Sequence, residues 1–200
     1  MSDAAEPVVD LGRGKRWVLR IAAAVALVAA VIAIALIFFV GLARVGGDDM
    51  LPTLGDGAGV VVKRGGTPAR GDLILFDDNG ATRLRRVIGM PGETLEFEGM
   101  IPIVNGERAS YADVAEIDVY GRRMKVVRET VAGVSHHVID DPNRRLTSVP
   151  RADTGTGYYV MADFREYGND SRVYGIVQPA AIQGIYWFAW SRGDRPSGAP

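Results

Sequence analysis

Cysteine is absent from the 200 residues. That excludes disulfides, thiolate metal sites and cysteine nucleophiles, and is compatible with either side of a membrane. An excess of one charge is missing too: Lys and Arg number 23 against 24 Asp and Glu, a formal net charge of −1. The broad basic field that nucleic-acid binding rests on is therefore lacking, and no nucleic-acid partner is expected. Histidine occurs only as the neighbours His136 and His137, and adjacent strand positions face opposite ways, so the two do not converge on one metal. Neither metal nor another cofactor is called for. Internal repeats and low-complexity tracts are lacking as well.

What is present falls into two parts. From residue 21 to 43 the run IAAAVALVAAVIAIALIFFVGLA carries no charged side chain. At about 1.5 Å per residue a helix of that length crosses the roughly 30 Å hydrocarbon core. Arg13, Lys15, Arg16 and Arg20 precede the run, whereas Arg44 follows it in company with Asp48 and Asp49. The positive-inside rule then puts the N-terminus in the cytoplasm. The run exceeds the 7–15 apolar residues of a cleaved secretory signal, so an uncleaved anchor is expected. Beyond it come short β-branched runs broken by Gly, Pro, Asn and Asp, among them GVVVKR, DLILF, RRVIGM, TLEFEG, KVVRETV and YYVMAD, the signature of strands and turns. The expected class is a mainly β domain preceded by one transmembrane helix. Its expected parts are a cytoplasmic tail over 1–16, a signal anchor over 17–44, a β domain over 45–191 and a disordered tail over 192–200, the last polar and rich in Pro and Gly. Of the aromatics Trp187, Phe188 and Trp190, at least one is expected in the core.

Four stretches, taken in order, carry a resemblance. Met50-Leu51-Pro52-Thr53-Leu54 is followed by Arg70-Gly71-Asp72-Leu73-Ile74-Leu75-Phe76, then by Arg85-Arg86-Val87-Ile88-Gly89-Met90-Pro91-Gly92-Glu93 with Val104-Asn105-Gly106. The last comprises Ala162-Asp163-Phe164-Arg165, Asp170-Ser171-Arg172 and Gly175. Singly these are common turn chemistry. As an ordered set from 49 to 190 they resemble the conserved boxes of the type I signal peptidases, membrane-anchored serine endopeptidases with a Ser/Lys dyad on a β domain outside the cytoplasm. The boxes are normally Ser-Met-x-Pro-Thr-Leu, Lys-Arg-Val-x-Gly-x-Pro-Gly-Asp, Gly-Asp-Asn-Arg and Asp-Ser-Arg-x-x-Gly. The resemblance implies a cell-membrane, single-pass protein whose domain lies in the periplasm or outside the cell, with exported-protein or signal-peptide segments as partners.

The same matching shows what is gone. The serine position holds Asp49 and the lysine position Arg85. A supporting serine corresponds to Gly168, and a hydroxyl that helps the oxyanion hole corresponds to Gly47. Lysine serves as a base only when neutral; a guanidinium stays protonated and offers no acceptor. Between residues 41 and 57 the only alcohol is Thr53. Residues expected to hold the cleft and scaffold are retained: Met50, Pro52, Thr53, Arg86, Asp163, Asp170, Ser171 and Arg172, with Arg86 paired to Asp163 or Asp170. Since a lone charge in a partly buried place is costly, Asp49 and Arg85 are expected to form an ion pair where the dyad would be. The losses imply a non-catalytic relative that binds peptides, or docks on an active signal peptidase, in protein export. The alternative is a signal peptidase I working through an atypical site.

Overall fold

The computed structural model describes residues 11–140 and 149–200. It comprises two units, Met1–Phe39 and Val40–Pro200. In the first, α1 (Leu11–Phe39) is built almost wholly from Ala, Leu, Ile and Val after Arg20, apolar on every side. It is long and apolar enough to cross a membrane. The helix stops at Phe39, although Val40-Gly41-Leu42-Ala43 continues the apolar run. The anchor expected over 17–44 is shortened at that end because residues 40–44 form β1 (Val40–Arg44), paired antiparallel with β2 (Gly59–Lys63). At the other end, the helix begins within the segment expected as a tail. Residues 1–10 lie outside those described.

The second unit is mainly β structure. β3 (Leu73–Asp78) and β4 (Ala81–Gly89) form a hairpin. With β12 (Tyr159–Met161) and β13 (Ile182–Ser191) they complete a six-stranded sheet in the order β1-β2-β13-β3-β4-β12. Both faces are covered, which explains the unbroken apolar reading of β3: Leu73 and Leu75 join Met50, Leu54, Val60 and Val62 on one face. Ile74 and Phe76 join Val87, Tyr158 and Val160 on the other, the period-two division of a strand buried on two sides. A second sheet holds β5 (Thr94–Glu98), β6 (Ile101–Val104), β7 (Glu107–Arg108) and β11 (Ala152–Asp153). A third holds β8 (Ser110–Val119), β9 (Arg122–Val131) and β10 (Val134–Asp140). Asn105 and Gly106, both at positive φ, make the two-residue turn between β6 and β7, the geometry Asn-Gly favours. The third sheet packs Ile117, Val119, Met124 and Val126 against Leu51 and Phe164, tying it to the segments that carry Asp49 and Asp163.

Two expectations about the C-terminal end fail. Trp187, Phe188 and Trp190 are 54%, 45% and 51% exposed, so none is a core residue. Irregular register between Tyr186 and Phe188 and again between Ala189 and Ser191 gives the inward places to Tyr186 and Ala189. The Trp190 ring lies against Gly59, where a Cβ would meet it at 2.0 Å. The tail over 192–200 is ordered by contacts with the 52–58 segment: Gly55 N–H donates to Arg192 O at 2.9 Å, Asp194 N–H to Asp56 O at 2.9 Å, and the side chain of Arg195 through Nε to Pro52 O at 2.7 Å.

Candidate functional site

Three segments converge on the position where the sequence places the dyad: the turn over 48–54, strand β4, and the loop over 162–172, which leads into the short helix α2 (Ser171–Tyr174). The turn is fixed from below by Met50, Leu51 and Leu54, all buried, and from the side by Phe164 N–H donating to Asp49 O at 2.9 Å. The scaffold residues hold the rest. Arg86 grips Asp163 with two parallel bonds, Nε to Oδ1 at 2.7 Å and Nη2 to Oδ2 at 2.5 Å, the fork geometry that favours arginine over lysine. Its Nη1 donates to Gly71 O at 2.7 Å. Thr53 Oγ1 donates to Asp163 Oδ2 at 2.5 Å, so the one alcohol of this turn is committed to the framework.

Of the two carboxylates considered for Arg86, the structure pairs it with Asp163. Asp170 instead caps α2 and holds Arg172, which reaches its two oxygens at 2.8 and 2.7 Å. Asp170 also accepts from Ala162 N–H at 2.9 Å, and Ser171 Oγ accepts from Val160 N–H at 2.9 Å.

Within this frame Asp49 and Arg85 form an ion pair, Arg85 Nη2 donating to Asp49 Oδ2. Arg85 is only 4% exposed, whereas the Asp49 side chain is 29% exposed. Two further acceptors hold the guanidinium: Nε donates to Asn169 O at 2.9 Å and Nη1 to Leu84 O at 2.7 Å. Arg85 thus joins β4, the 48–54 turn and the 162–172 loop. A cation with three partners in that place is a structural tie and a donor only, and it offers no lone pair to a proton.

Neither glycine of the supporting set has room and backbone freedom together. A Cβ on Gly168 would lie 2.0 Å from Ala162 Cβ and 3.2 Å from Phe164 O, so the methyl at 162 fills the space that a side chain at 168 would need. A Cβ on Gly47 meets nothing, but the residue sits at φ +80 and its N–H is spent on Asp56 Oδ1 at 2.7 Å. Beside it the Asp48 carboxyl is pushed above its ordinary value by burial and by the nearby carboxylates of Asp56, Asp49 and Asp194, against a stabilising hydrogen bond from Asp56 N–H.

The edge of β4 beside the pair is open. Val87 N–H donates to Asp72 O and Gly71 N–H to Val87 O, at 2.8 and 2.9 Å, so the backbone groups of Val87 face the β3 side. By strand alternation those of Arg86, Leu84 and Thr82 face away from it. Arg86 meets Met161 of β12 there. At Ala162 the chain turns off to Asp170, and among the described residues no strand accompanies Leu84 and Thr82. A small pocket of about 60 Å³ opens at this edge, lined by Arg44, Asp49, Thr82, Arg83, Leu84 and Arg85 among others.

Sequence reading did not find Asn169, Leu84 or Ala162. The first two act through backbone carbonyls, which leave no mark in side-chain identity. Ala162 did stand where the box has glycine, and that was its only signal. A buried network outside the site also went unseen: Glu129, fully buried, pairs with Arg165, lies 2.9 Å from His136 Nε2 and accepts from Tyr111 Oη. Burial pushes the Glu129 carboxyl up, but Arg165, His136 and the Tyr111 hydroxyl together hold it at about 2.

The fold is a mainly β domain preceded by a helix long and apolar enough to cross a membrane. The family model for signal peptidase, peptidase S26, matches residues 15–191. The chain is 31% identical over 147 residues to signal peptidase I V of Bacillus subtilis, covering 71% of this chain and 80% of that protein. It is 30% identical over 146 residues to signal peptidase IB of Staphylococcus aureus, covering 69% and 71%. A crystal structure of a signal peptidase I from Enterococcus faecalis is similar over 60% of this chain and 97% of that one, at 24% identity and a TM-score of 0.36. The chain belongs to the signal peptidase S26 family.

Proposed function

We infer that this chain is a membrane-anchored, non-hydrolytic member of the family that holds extended segments of exported proteins without cutting them. The observation that carries the reading is the Asp49–Arg85 ion pair in place of a nucleophile and its base. Attack on an amide needs an atom that gives up a proton and one that takes it; Asp49 is an acceptor already engaged, and Arg85 is permanently protonated. The negative charge of Asp49 would also oppose an oxyanion forming beside it. The cleft edge supports the binding half of the reading. Thr82 offers a free backbone donor and acceptor, and Leu84 a free donor, to a strand laid alongside β4, the arrangement of recognition by strand addition. The basic residues before α1 support an orientation with the N-terminus in the cytoplasm and the β domain on the far side of the membrane, where exported chains emerge.

The test is a cell depleted of its authentic signal peptidase and supplied with this protein alone. No processing of an exported reporter is expected. In parallel, the full-length protein in detergent is incubated with a synthetic signal-peptide substrate and followed by mass spectrometry, with binding read by fluorescence anisotropy. Binding without new fragments is the expected result. Cleavage that disappears in Asp49→Ala and Arg85→Ala would overturn it in favour of an atypical enzyme.

A further inference from the structure

A second cavity, of about 380 Å³, shares no lining residue with the pocket beside the ion pair. Among the described residues it is lined by Met100 and Ile101 at the head of β6, Arg108 of β7, Tyr111 of β8, Val138 of β10 and Arg165. Met100, Ile101 and Val138 give it apolar walls. Arg108 is exposed, so the buried polar group of the lining is the Arg165 guanidinium. A largely apolar hollow of this size with one fixed polar group has the make-up of a small-molecule site.

Arg165 is held from several sides. Its N–H donates to Ile139 O at 3.3 Å and its carbonyl accepts from Arg172 Nη2 at 2.9 Å, while Nη2 pairs with the fully buried Glu129. The guanidinium is nevertheless short of acceptors. Nη1 rests on Met161 Sδ at 3.1 Å, a weak acceptor, and the buried Nε has no partner. Arg172 shows the same shortage, its Nη1 lying 3.3 Å from Met100 Sδ in the cavity wall. Buried donors without a proper acceptor are costly, and an oxygen brought in through the cavity would supply one.

Charge decides which oxygen. Each cation here already has its carboxylate: Arg165 has Glu129, Arg108 has Glu98 at 2.8 Å, and Arg172 has Asp170 at 2.7 Å. Donors are in excess but positive charge is not, and Glu129 behind the guanidinium opposes an incoming anion. His136, whose Nδ1 also lacks a partner, is not among the described lining residues.

We propose that this cavity binds a neutral small molecule, with an apolar body against Met100, Ile101 and Val138 and a carbonyl oxygen accepting from Arg165. The site is separate from the cleft edge and stands or falls independently of peptide holding.

The experiment uses the full-length protein in detergent, carrying methyl-labelled methionine, with the Met100 methyl signal followed by NMR. Three probes share an aromatic ring: acetophenone offers a neutral carbonyl, ethylbenzene no acceptor, and benzoate a carboxylate. Acetophenone is expected to shift the Met100 signal saturably and to bind about tenfold more tightly than ethylbenzene, the lower end for a hydrogen bond to a charged group. Benzoate is expected to bind more weakly than acetophenone. Ile101→Trp, a half-buried wall position, fills the cavity and should abolish the saturable shift. Should that variant fail to fold, the comparison of probes on the unaltered protein decides alone. Equal affinity for acetophenone and ethylbenzene overturns the role of Arg165, and tighter binding of benzoate overturns the neutral ligand. A saturable shift from none of the probes, or one that persists in folded Ile101→Trp, overturns the site.

Discussion

The contact between Ala162 and Gly168 can be tested to its limit. Placing serine at 168 puts a Cβ 2.0 Å from the Ala162 methyl, well short of the 3.4 Å at which ordinary contact begins. Ala162 is fully buried, and its N–H is held by Asp170, so the methyl has nowhere to retreat without moving the loop. Overpacking of this kind costs about 1–3 kcal/mol. In a domain of this size each kcal/mol lowers Tm by about 2–4 °C, so Gly168→Ser alone should lose roughly 2–12 °C. Ala162→Gly alone should cost about 1 kcal/mol through the lost methyl and added backbone freedom. The double variant removes the clash and should be more stable than Gly168→Ser, with a coupling of about 1–3 kcal/mol in the double-mutant cycle. The assay is calorimetric unfolding of all four proteins in one detergent. Additivity within about 0.5 kcal/mol would refute the reasoning and show that the loop absorbs the hydroxymethyl freely. The same geometry governs any rebuilding of a Ser/Lys site: Asp49→Ser, Arg85→Lys and Gly168→Ser need Ala162→Gly as a fourth change before the new hydroxyl has a place.

Three further outcomes follow from the geometry. Arg85→Met removes a buried cation and strands Asp49, Leu84 O and Asn169 O; with Asp49 partly solvated, about 2–4 kcal/mol of unfolding free energy should go, read from urea denaturation, whereas Asp49→Asn, which keeps an acceptor, should cost less. Glu129 has its folded value depressed from 4.5 to about 2, so its contribution is complete above pH 4.5 and is lost as pH falls through about 2. That is about 3 kcal/mol over the window, and Glu129→Gln should flatten this acid limb of the stability curve. Gly47→Ser has open space but must hold φ +80, and should cost about 1–2 kcal/mol with no gain of hydrolysis in a peptide assay.

Much of this was legible in residues whose burial follows from their own chemistry. The alternating faces of β3 and the all-round apolar α1 announce themselves by side chain alone. The Asp49–Arg85 pair was legible because two opposite charges replaced the dyad together. β8 was not, because Asp113, Glu116 and Asp118 interrupt it; the charged side faces out, and only its pairing with β9 shows Ile117 and Val119 pointing into the core. The helix-to-strand switch at Val40 was hidden because Val, Leu and Ala suit both states, and the partner that decides, β2, comes 19 residues later. The C-terminal segment looked unstructured because its contacts are backbone pairings and a reach of Arg195 to carbonyl oxygens. The exclusion of a side chain at 168 is a distance, which no residue identity carries.

The salt link between turn and strand also bears on how such a protein changes over time. Asp49→Ser by itself would leave a buried cation without its counter-charge, and Arg85→Lys would trade a three-way anchor for a single ammonium. With Asp49 partly solvated, breaking this pair costs about 2–4 kcal/mol, a large share of the 5–15 kcal/mol by which domains stay folded. A single change to serine at 49 therefore passes through a weaker molecule, and the link favours changes at 49 and 85 that come together.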